Sequence, residues 1–156
     1  MILGNITKED VSKFDLLVLS PGISVNAPIA QMFYDQEKPV WSEIELAYQA
    51  SKGRIAAITG TNGKTTTTAL TGEIMKGYYE SSFVVGNIGI PYTSVALDTK
   101  EDSVTTAEIS SFQLETIVDF KPDVCAVLNI TPDHLDRHGT VEVYAQTKES
   151  IGKNQT

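Results

Sequence analysis

Thr59-Gly60-Thr61-Asn62-Gly63-Lys64-Thr65-Thr66 is the stretch on which the reading of the fold turns. Before it, Arg54 to Thr59 (Arg-Ile-Ala-Ala-Ile-Thr) is a short apolar run that reads as a buried strand. After it, a helix is predicted from about Lys64, with Gly77 as its C-cap. Gly60 and Gly63 let the backbone turn tightly and bring N–H groups up to an anion. The helix N-terminus adds the positive end of a dipole. Residues Gly60, Thr61, Asn62, Gly63, Lys64, Thr65 and Thr66 are therefore the candidate nucleotide-phosphate site. Lys64 supplies a mobile charge for the terminal phosphates and the Thr65 hydroxyl a ligand for magnesium. One departure stands out: the general phosphate-loop pattern wants glycine where this chain has Ile58. Thr65 to Thr68 open the helix with four threonines, which are poor helix formers. Capping by hydroxyls accounts for one or two of them, and a conflict with propensity is expected at a functional site.

Working outward, Phe14 to Leu19 reads as a buried strand that ends in the turn Ser20-Pro21-Gly22. Pro28 to Gln36 is predicted helical and Val40-Trp41 extended. Ser42, three residues before Glu45, suggests a capping box opening a helix that runs to Gly53. On the other side, Phe83 to Val85 reads as a strand, Gly86-Asn87-Ile88-Gly89 as a loop, and a helix is predicted from Pro91. Ser103 to Ile109 reads as a strand, Phe112 to Val118 as a short helix, Val124 to Ile130 as a strand and Val141 to Ile151 as a helix. Strands alternating with helices predict an α/β fold, a mostly parallel sheet with helices on both faces. A boundary is expected at Ser42. Residues 1–41 hold one strand and one helix and read as the tail of a preceding domain. Residues 42–156 read as part of a second, incomplete domain.

At 156 residues the chain can bury one good core, and 41% hydrophobic with 21% charged residues is an ordinary globular composition. The net charge of -8 argues against a nucleic-acid partner, which needs a basic surface. It does not argue against a small anion held by a local nest of N–H groups. Cys125 is the single cysteine and is expected to be buried as a small apolar residue. Met1-Ile2-Leu3-Gly4-Asn5 lacks the basic region of a signal peptide, and no apolar run approaches a membrane span, so a cytoplasmic protein without membrane insertion is expected.

Further chemistry lies after the later strands. Glu108 ends its strand, and His134 and Asp136 follow the strand ending at Ile130. Sites in open parallel sheets form outside the carboxyl ends of strands, so the loop, Glu108 and His134 are expected on one edge. A carboxylate at Glu108 suits magnesium. His134 and His138 at i, i+4 invite a zinc reading, but no glutamate adjoins His134, no second ligand cluster is present, and Gly139 breaks the element. Lys148 falls inside the apolar stripe Val141, Tyr144, Ile151. Two readings stand for it: a snorkelling side chain with its ammonium in water, or a buried lysine with a lowered pKa.

Thr59–Thr66, Gly86-Asn87-Ile88-Gly89-Ile90-Pro91, Glu108-Ile109-Ser110-Ser111-Phe112-Gln113-Leu114-Glu115 and Asn129-Ile130-Thr131-Pro132-Asp133-His134-Leu135-Asp136-Arg137-His138, together with Tyr144 and Lys148, resemble the Mur ligases. The Phe112-Gln113-Leu114-Glu115 continuation resembles the branch that adds D-glutamate to UDP-N-acetylmuramoyl-L-alanine. Ser20-Pro21-Gly22-Ile23 resembles the end of that branch's UDP-binding domain. The resemblance implies a P-loop NTPase-like central domain and an ATP-dependent ligation of peptidoglycan precursor synthesis, in which ATP phosphorylates the substrate carboxylate and the amine of D-glutamate attacks the acyl phosphate. It implies that Lys64 and the loop amides hold the ATP phosphates. Thr65 and Glu108 would hold one Mg2+, and His134 and Lys148 a second, with Lys148 as a carbamate. Asn87, Ser110, Gln113 and His134 would contact the muramoyl substrate, alongside Ser20, Pro21 and Gly22. The groups that hold adenine, ribose and D-glutamate would lie beyond Lys148, so the chain is expected to be inactive alone. Three rivals are a folylpolyglutamate synthetase-like ligase, against which the Phe112–Glu115 and Asp133–His138 strings count, a nucleotide-binding module without catalysis, and a kinase-like phosphotransferase, for which no acceptor base is evident.

Overall fold

The computed structural model describes residues 6–87 and 89–155. Residues 1–5 of the predicted first segment, Ile88 of the predicted Gly86–Gly89 loop and Thr156 lie outside the described residues.

The first segment builds a small unit of its own. Helix α1 (Lys8–Val11) is opened by a Thr7–Asp10 capping box that the sequence reading passed over. Strand β1 (Leu17–Leu19), helix α2 (Pro28–Tyr34) and strand β2 (Val40–Ser42) follow, with β1 and β2 paired in parallel. Val11, Leu19, Ala30, Phe33 and Val40 form its core.

Helix α3 (Glu43–Ala50) begins at Ser42, whose hydroxyl accepts the Glu45 N–H at 3.4 Å. The expected capping box is half made, because the Glu45 carboxylate is needed elsewhere. Fully buried, it accepts the N–H groups of Val118 (2.8 Å), Asp119 (3.1 Å) and Phe120 (3.0 Å), and the Gln49 amide at 2.9 Å. One buried carboxylate thus gathers three consecutive backbone donors. Glu45→Ala is expected to destabilise the fold by about 3 kcal/mol, since it strands those donors. Urea unfolding checks this, and a loss below about 1 kcal/mol would mean that water replaces the carboxylate.

The main sheet contains β3 (Arg54–Thr59), β4 (Ser82–Gly86), β5 (Val104–Glu108) and β6 (Val124–Val127) in the order β4-β5-β3-β6, every described pairing parallel. Helix α4 (Lys64–Lys76) covers one face. It lies so close that a Cβ added at Gly72 would come within 2.2 Å of Val84. On the other face Ile55, Ala57, Val85 and Ala107 pack with Ile44 and Ala47 of α3, with Tyr92 and Ala96, and with Ile109, Leu114, Phe120 and Ile151. The chain closes with α5 (Ser111–Leu114), α6 (Leu135–His138) and α7 (Val141–Glu149). The fold is the α/β arrangement expected, with a parallel sheet covered on both faces. Among the described residues no helix is long and apolar enough to cross a membrane.

Two elements and one side chain depart furthest from the sequence reading. The helix expected from Pro91 is two 3-10 turns, Tyr92–Ser94 and Ala96–Asp98. Glu43 takes both the N–H and the hydroxyl of Thr93, and Ser94 bonds back to the Pro91 carbonyl, so short polar groups tie up the backbone locally. Strand β6 stops at Val127 rather than Ile130, because Asn129 turns away to bond the Gly60–Gly63 loop. Being an edge strand, β6 leaves Cys125 half-buried, its thiol beside Gln155 at 3.2 Å, where full burial was expected.

Candidate functional site

The parallel register brings Ile58, Glu108 and Gly86 side by side at one edge of the sheet, and Thr59 beside Val127. The loop between β3 and α4 leaves this edge pressed against the chain that follows β6. Gly60 (φ 149°) is required there: a Cβ would sit 3.1 Å from Leu128 Cβ and 3.3 Å from Asn129 N. Asn129 then fixes the loop. Its carbonyl accepts the Thr61 N–H at 2.9 Å, its Oδ1 accepts the Asn62 N–H at 2.9 Å, and its Nδ2 donates to the Asn62 carbonyl at 2.9 Å. Thr61 Oγ1 is bonded to both the carbonyl and N–H of Thr131 and to the Tyr144 hydroxyl.

This bonding narrows the expected anion site. The N–H groups of Thr61 and Asn62 are already committed. Helix α4 makes its first intrahelical bond from Thr67 N–H to Gly63 O, so the N–H groups of Gly63, Lys64, Thr65 and Thr66 have no intrahelical acceptor. These four, at the positive end of a 13-residue helix, are the donors suited to phosphate oxygens. Gly63 is the N-cap and no side chain caps the helix, so hydroxyl capping does not account for the threonines. The Lys64 ammonium donates to the Thr61 carbonyl at 3.0 Å, above the loop.

Beside the loop lies a cavity of about 240 Å3 lined by Lys64, Asn87, Ser110, Ser111, Phe112, His134, Tyr144 and Lys148. His134 reaches it from a left-handed backbone (φ 50°), a costly conformation for a residue other than glycine and one typical of functional sites. Its N–H donates to Asp133 Oδ1 at 2.9 Å. A second cavity of about 340 Å3 is lined by Val18, Leu19, Ser20, Pro21, Glu43, Gly86, Asn87, Gly89, Pro91 and Gln113. Asn87 lines both. The sequence-predicted groups therefore converge: Lys64, Ser110, His134 and Lys148 on the first cavity, Ser20, Pro21 and Gln113 on the second.

Glu108, buried, lines neither cavity but receives the Asn87 amide at 3.2 Å. Gly86 permits that approach: a Cβ there would sit 2.1 Å from the Glu108 carbonyl oxygen. Thr65 is exposed at the start of α4. Ser110 and Gln113 bond each other in a capping box at the start of α5, which leaves the Gln113 amide nitrogen as its group for an outside acceptor.

Lys148 is 2% exposed, which excludes the snorkelling reading. Its ammonium lies 3.4 Å from Thr59 Oγ1 and 4.7 Å from the centre of the Tyr144 ring. Burial pushes its pKa down to about 8, with the Lys64 charge adding to the shift and Asp133 and Glu108 opposing it. His138 does not join His134 as a metal pair. It is buried, its Nε2 is 3.0 Å from Ser111 Oγ, and burial holds its pKa below the usual value. Among the described residues no group of three or more His, Cys, Asp or Glu is placed to hold a metal.

Sequence reasoning singled out neither Asn129 nor Thr59 as a site residue, although both belong to motifs it quoted. Asn129 acts on Asn62 from 67 positions away, and no local spacing signals that.

Residues 58–156 match the family description of the Mur ligase middle domain. The chain belongs to the Mur ligase family. Among curated Mur ligases it is 59% identical over 156 residues to the UDP-N-acetylmuramoylalanine–D-glutamate ligase of Lachnoclostridium phytofermentans, covering 100% of this chain and 34% of that protein. Against the enzyme of the same name from Lachnospira eligens it is 60% identical, covering 100% and 35%. For the one from Alkaliphilus metalliredigens the identity is 51%, over 99% and 34%. The chain thus spans about a third of the length of the curated relatives it matches. The alignment with these Mur ligases runs through both cavities, including the Ser20–Ile23 turn that precedes the family match.

Proposed function

We propose that this chain forms the nucleotide-phosphate site, and one wall of the precursor site, of a cytoplasmic ATP-dependent ligase that adds D-glutamate to UDP-N-acetylmuramoyl-L-alanine. The observation that carries this is the pair of adjoining cavities with Asn87 between them. One holds the Lys64 ammonium and the Lys148 side chain beside the free amides of α4. The other holds the Ser20-Pro21 turn and Gln113. That layout suits a reaction in which a carboxylate presented from one side meets a phosphate presented from the other. On this reading residues 1–41 belong to the unit that binds the UDP-sugar and residues 42–156 to the unit that binds ATP.

A carboxylate and an amine do not condense in water, so the carboxylate must be activated. Its oxygen attacks the γ-phosphorus of ATP and ADP leaves. The amine of D-glutamate then attacks the acyl carbon, phosphate leaves with the C–O electron pair, and the amine gives up a proton. Two anions must be brought together first, and Lys64 with the amides of Gly63 to Thr66 offsets their repulsion. Ser110, His134 and the Gln113 amide orient the substrate.

The donor set fits magnesium. A buried carboxylate at Glu108 and a hydroxyl at Thr65 are few, hard oxygen ligands, as Mg2+ prefers when phosphates and water complete its shell. His134 and a carbamylated Lys148 are assigned to a second ion. Bound there, Mg2+ supplies charge neutralisation at the transferring phosphoryl group.

The test is ligation by the intact protein that contains this chain. Radiolabelled D-glutamate should enter product only with ATP, Mg2+ and UDP-N-acetylmuramoyl-L-alanine present, one phosphate being released per product. Hydroxylamine in place of D-glutamate should trap the activated carboxyl as a hydroxamate. ATP binding without either product would leave a nucleotide-binding module and sink the ligase reading.

A further inference from the structure

The Phe112-Gln113-Leu114-Glu115 string includes two residues whose role the proposed reaction leaves open. Phe112 lines the first cavity, while Glu115 points away from it, toward Arg137. The Arg137 guanidinium donates to both carboxylate oxygens of Glu115, Nε to Oε1 at 3.1 Å and Nη2 to Oε2 at 2.5 Å. It also lies 4.6 Å from the centre of the Phe112 ring. Both charged side chains are largely buried, at 14% and 13% exposed. Such an arginine is held on three sides, and its orientation is fixed by a planar fork that lysine cannot reproduce.

What the fixed arginine holds is the first segment. Nη2 donates to the Ile23 carbonyl at 3.0 Å, 114 positions away, at the end of the Ser20-Pro21-Gly22-Ile23 turn. Ser20 and Pro21 of that turn line the second cavity. Glu115 reaches the same segment: its charge, after burial, raises the pKa of Tyr34 in α2. Phe112, which carries Arg137 on its ring, is stacked against His138 and tilted against His134 at 4.9 Å. A continuous set of contacts therefore runs from the His134 end of the first cavity to the turn that walls the second.

We propose that Arg137, cradled by Glu115 and Phe112, is a positioning residue that latches the Ser20–Ile23 turn onto the ATP-binding unit and so sets the precursor cavity against the phosphate site. Arg137 and Glu115 line neither cavity. The latch rests on the ligase reading only for its consequence in catalysis, since the contact itself is a property of this chain. Breaking it frees the turn and weakens capture of the UDP-sugar substrate, while the phosphate loop keeps its own bonds to Asn129.

Amide hydrogen exchange on the chain, without ligands, tests the contact. In Arg137→Met the amides of Ile23, bonded to the Ser20 carbonyl within the turn, and of Ala27, bonded to the Ser24 carbonyl just after it, should exchange roughly tenfold faster, with β3 and β5 unchanged. Arg137→Lys, which keeps the charge and bulk, should fall between the parent and Arg137→Met. The double exchange Glu115→Arg with Arg137→Glu restores an ion pair but removes the donor to Ile23. Its melting temperature should recover toward the parent while Ile23 and Ala27 stay fast. Unchanged exchange at residues 23 and 27 in Arg137→Met, an even rise across the sheet, or recovery of exchange together with melting temperature in the double variant would overturn the latch. In the intact ligase the KM for UDP-N-acetylmuramoyl-L-alanine should rise roughly tenfold, with the KM for ATP within about twofold of the parent. Equal rises in both KM values would reduce Arg137 to a general stabiliser. Accelerated exchange in a protein with no ligation activity would leave the latch standing and remove the ligase reading instead.

Discussion

Lys148→Ala in the intact protein is expected, on the proposed ligase reading, to lose at least ~10^3-fold in ligation rate and to regain part of it on addition of formate or acetate. Lys148 is 2% exposed in the middle of the packed face of α7, where an ammonium is poorly solvated and the pKa is down at about 8. At pH 7 about a tenth is therefore free amine, the form that takes up carbon dioxide: the amine adds to CO2, a proton leaves, and a carbamate remains. That exchanges a cation for an anionic oxygen ligand suited to a hard metal. A short carboxylate can occupy the same place once the side chain is gone. Lys148→Arg keeps the charge but cannot be carbamylated, so it should be as impaired as Lys148→Ala. With carbon dioxide limiting, activity of the parent should rise with pH through about 8 as the amine is deprotonated. Near-parental activity of Lys148→Arg, with no response to bicarbonate depletion, would falsify the carbamate. A stability measurement on the chain needs no substrate. The folded pKa is depressed from 10.5 to about 8. Between those values the unfolded chain binds more protons than the folded one, so the native state gains stability as pH rises through that window. Below pH 8 the full penalty applies, about 3 kcal/mol on this shift. Lys148→Met should therefore be more stable than the parent at pH 7, and the two should converge toward pH 10.

The parts of this site that could be read from sequence are those whose signal is local. The apolar run Arg54–Thr59, the two glycines and the helix after them are contiguous, and β3, the loop and α4 lie where the reading placed them. Lys148 was legible as an anomaly, a lysine inside an apolar stripe, although spacing alone left its ammonium free to be in water or buried. What escaped depends on partners far along the chain. Glu45 looks like a capping-box residue until Val118, Asp119 and Phe120 arrive from over 70 positions away to claim its carboxylate. Val124 to Ile130 reads as one apolar strand, but its last residues leave the sheet because Asn129 bonds Thr61 and Asn62. Thr61 and Asn62 were read as phosphate donors on motif grounds, and that same contact commits their N–H groups.

Lys64→Ala should lower the affinity for ADP or ATP by at least ~10^2-fold without unfolding the chain. The size follows from what remains. The amides of Gly63 to Thr66 and the dipole of α4 still attract phosphate, so binding is weakened from their side only modestly. What is lost is the one mobile cation of the loop, in a cavity where burial lowers the local dielectric and raises the worth of a charge. The fold should be indifferent, because Lys64 gives up a single bond to the Thr61 carbonyl while Asn129, Thr131 and Tyr144 continue to hold the loop. Calorimetric titration with MgADP checks the affinity, and unchanged binding would make the phosphate-loop reading wrong. A second consequence separates loss of charge from loss of shape. The Lys64 charge is, after burial, the larger force that depresses the pKa of Lys148. Removing it should raise that pKa, so the pH window in which the chain gains stability should start above 8 rather than at it. Lys64→Met should show the same displacement and Lys64→Arg should not, because it is the charge of Lys64 that acts on Lys148. If Lys64→Met left the pH profile of stability where it is, the two lysines would not share one electrostatic site.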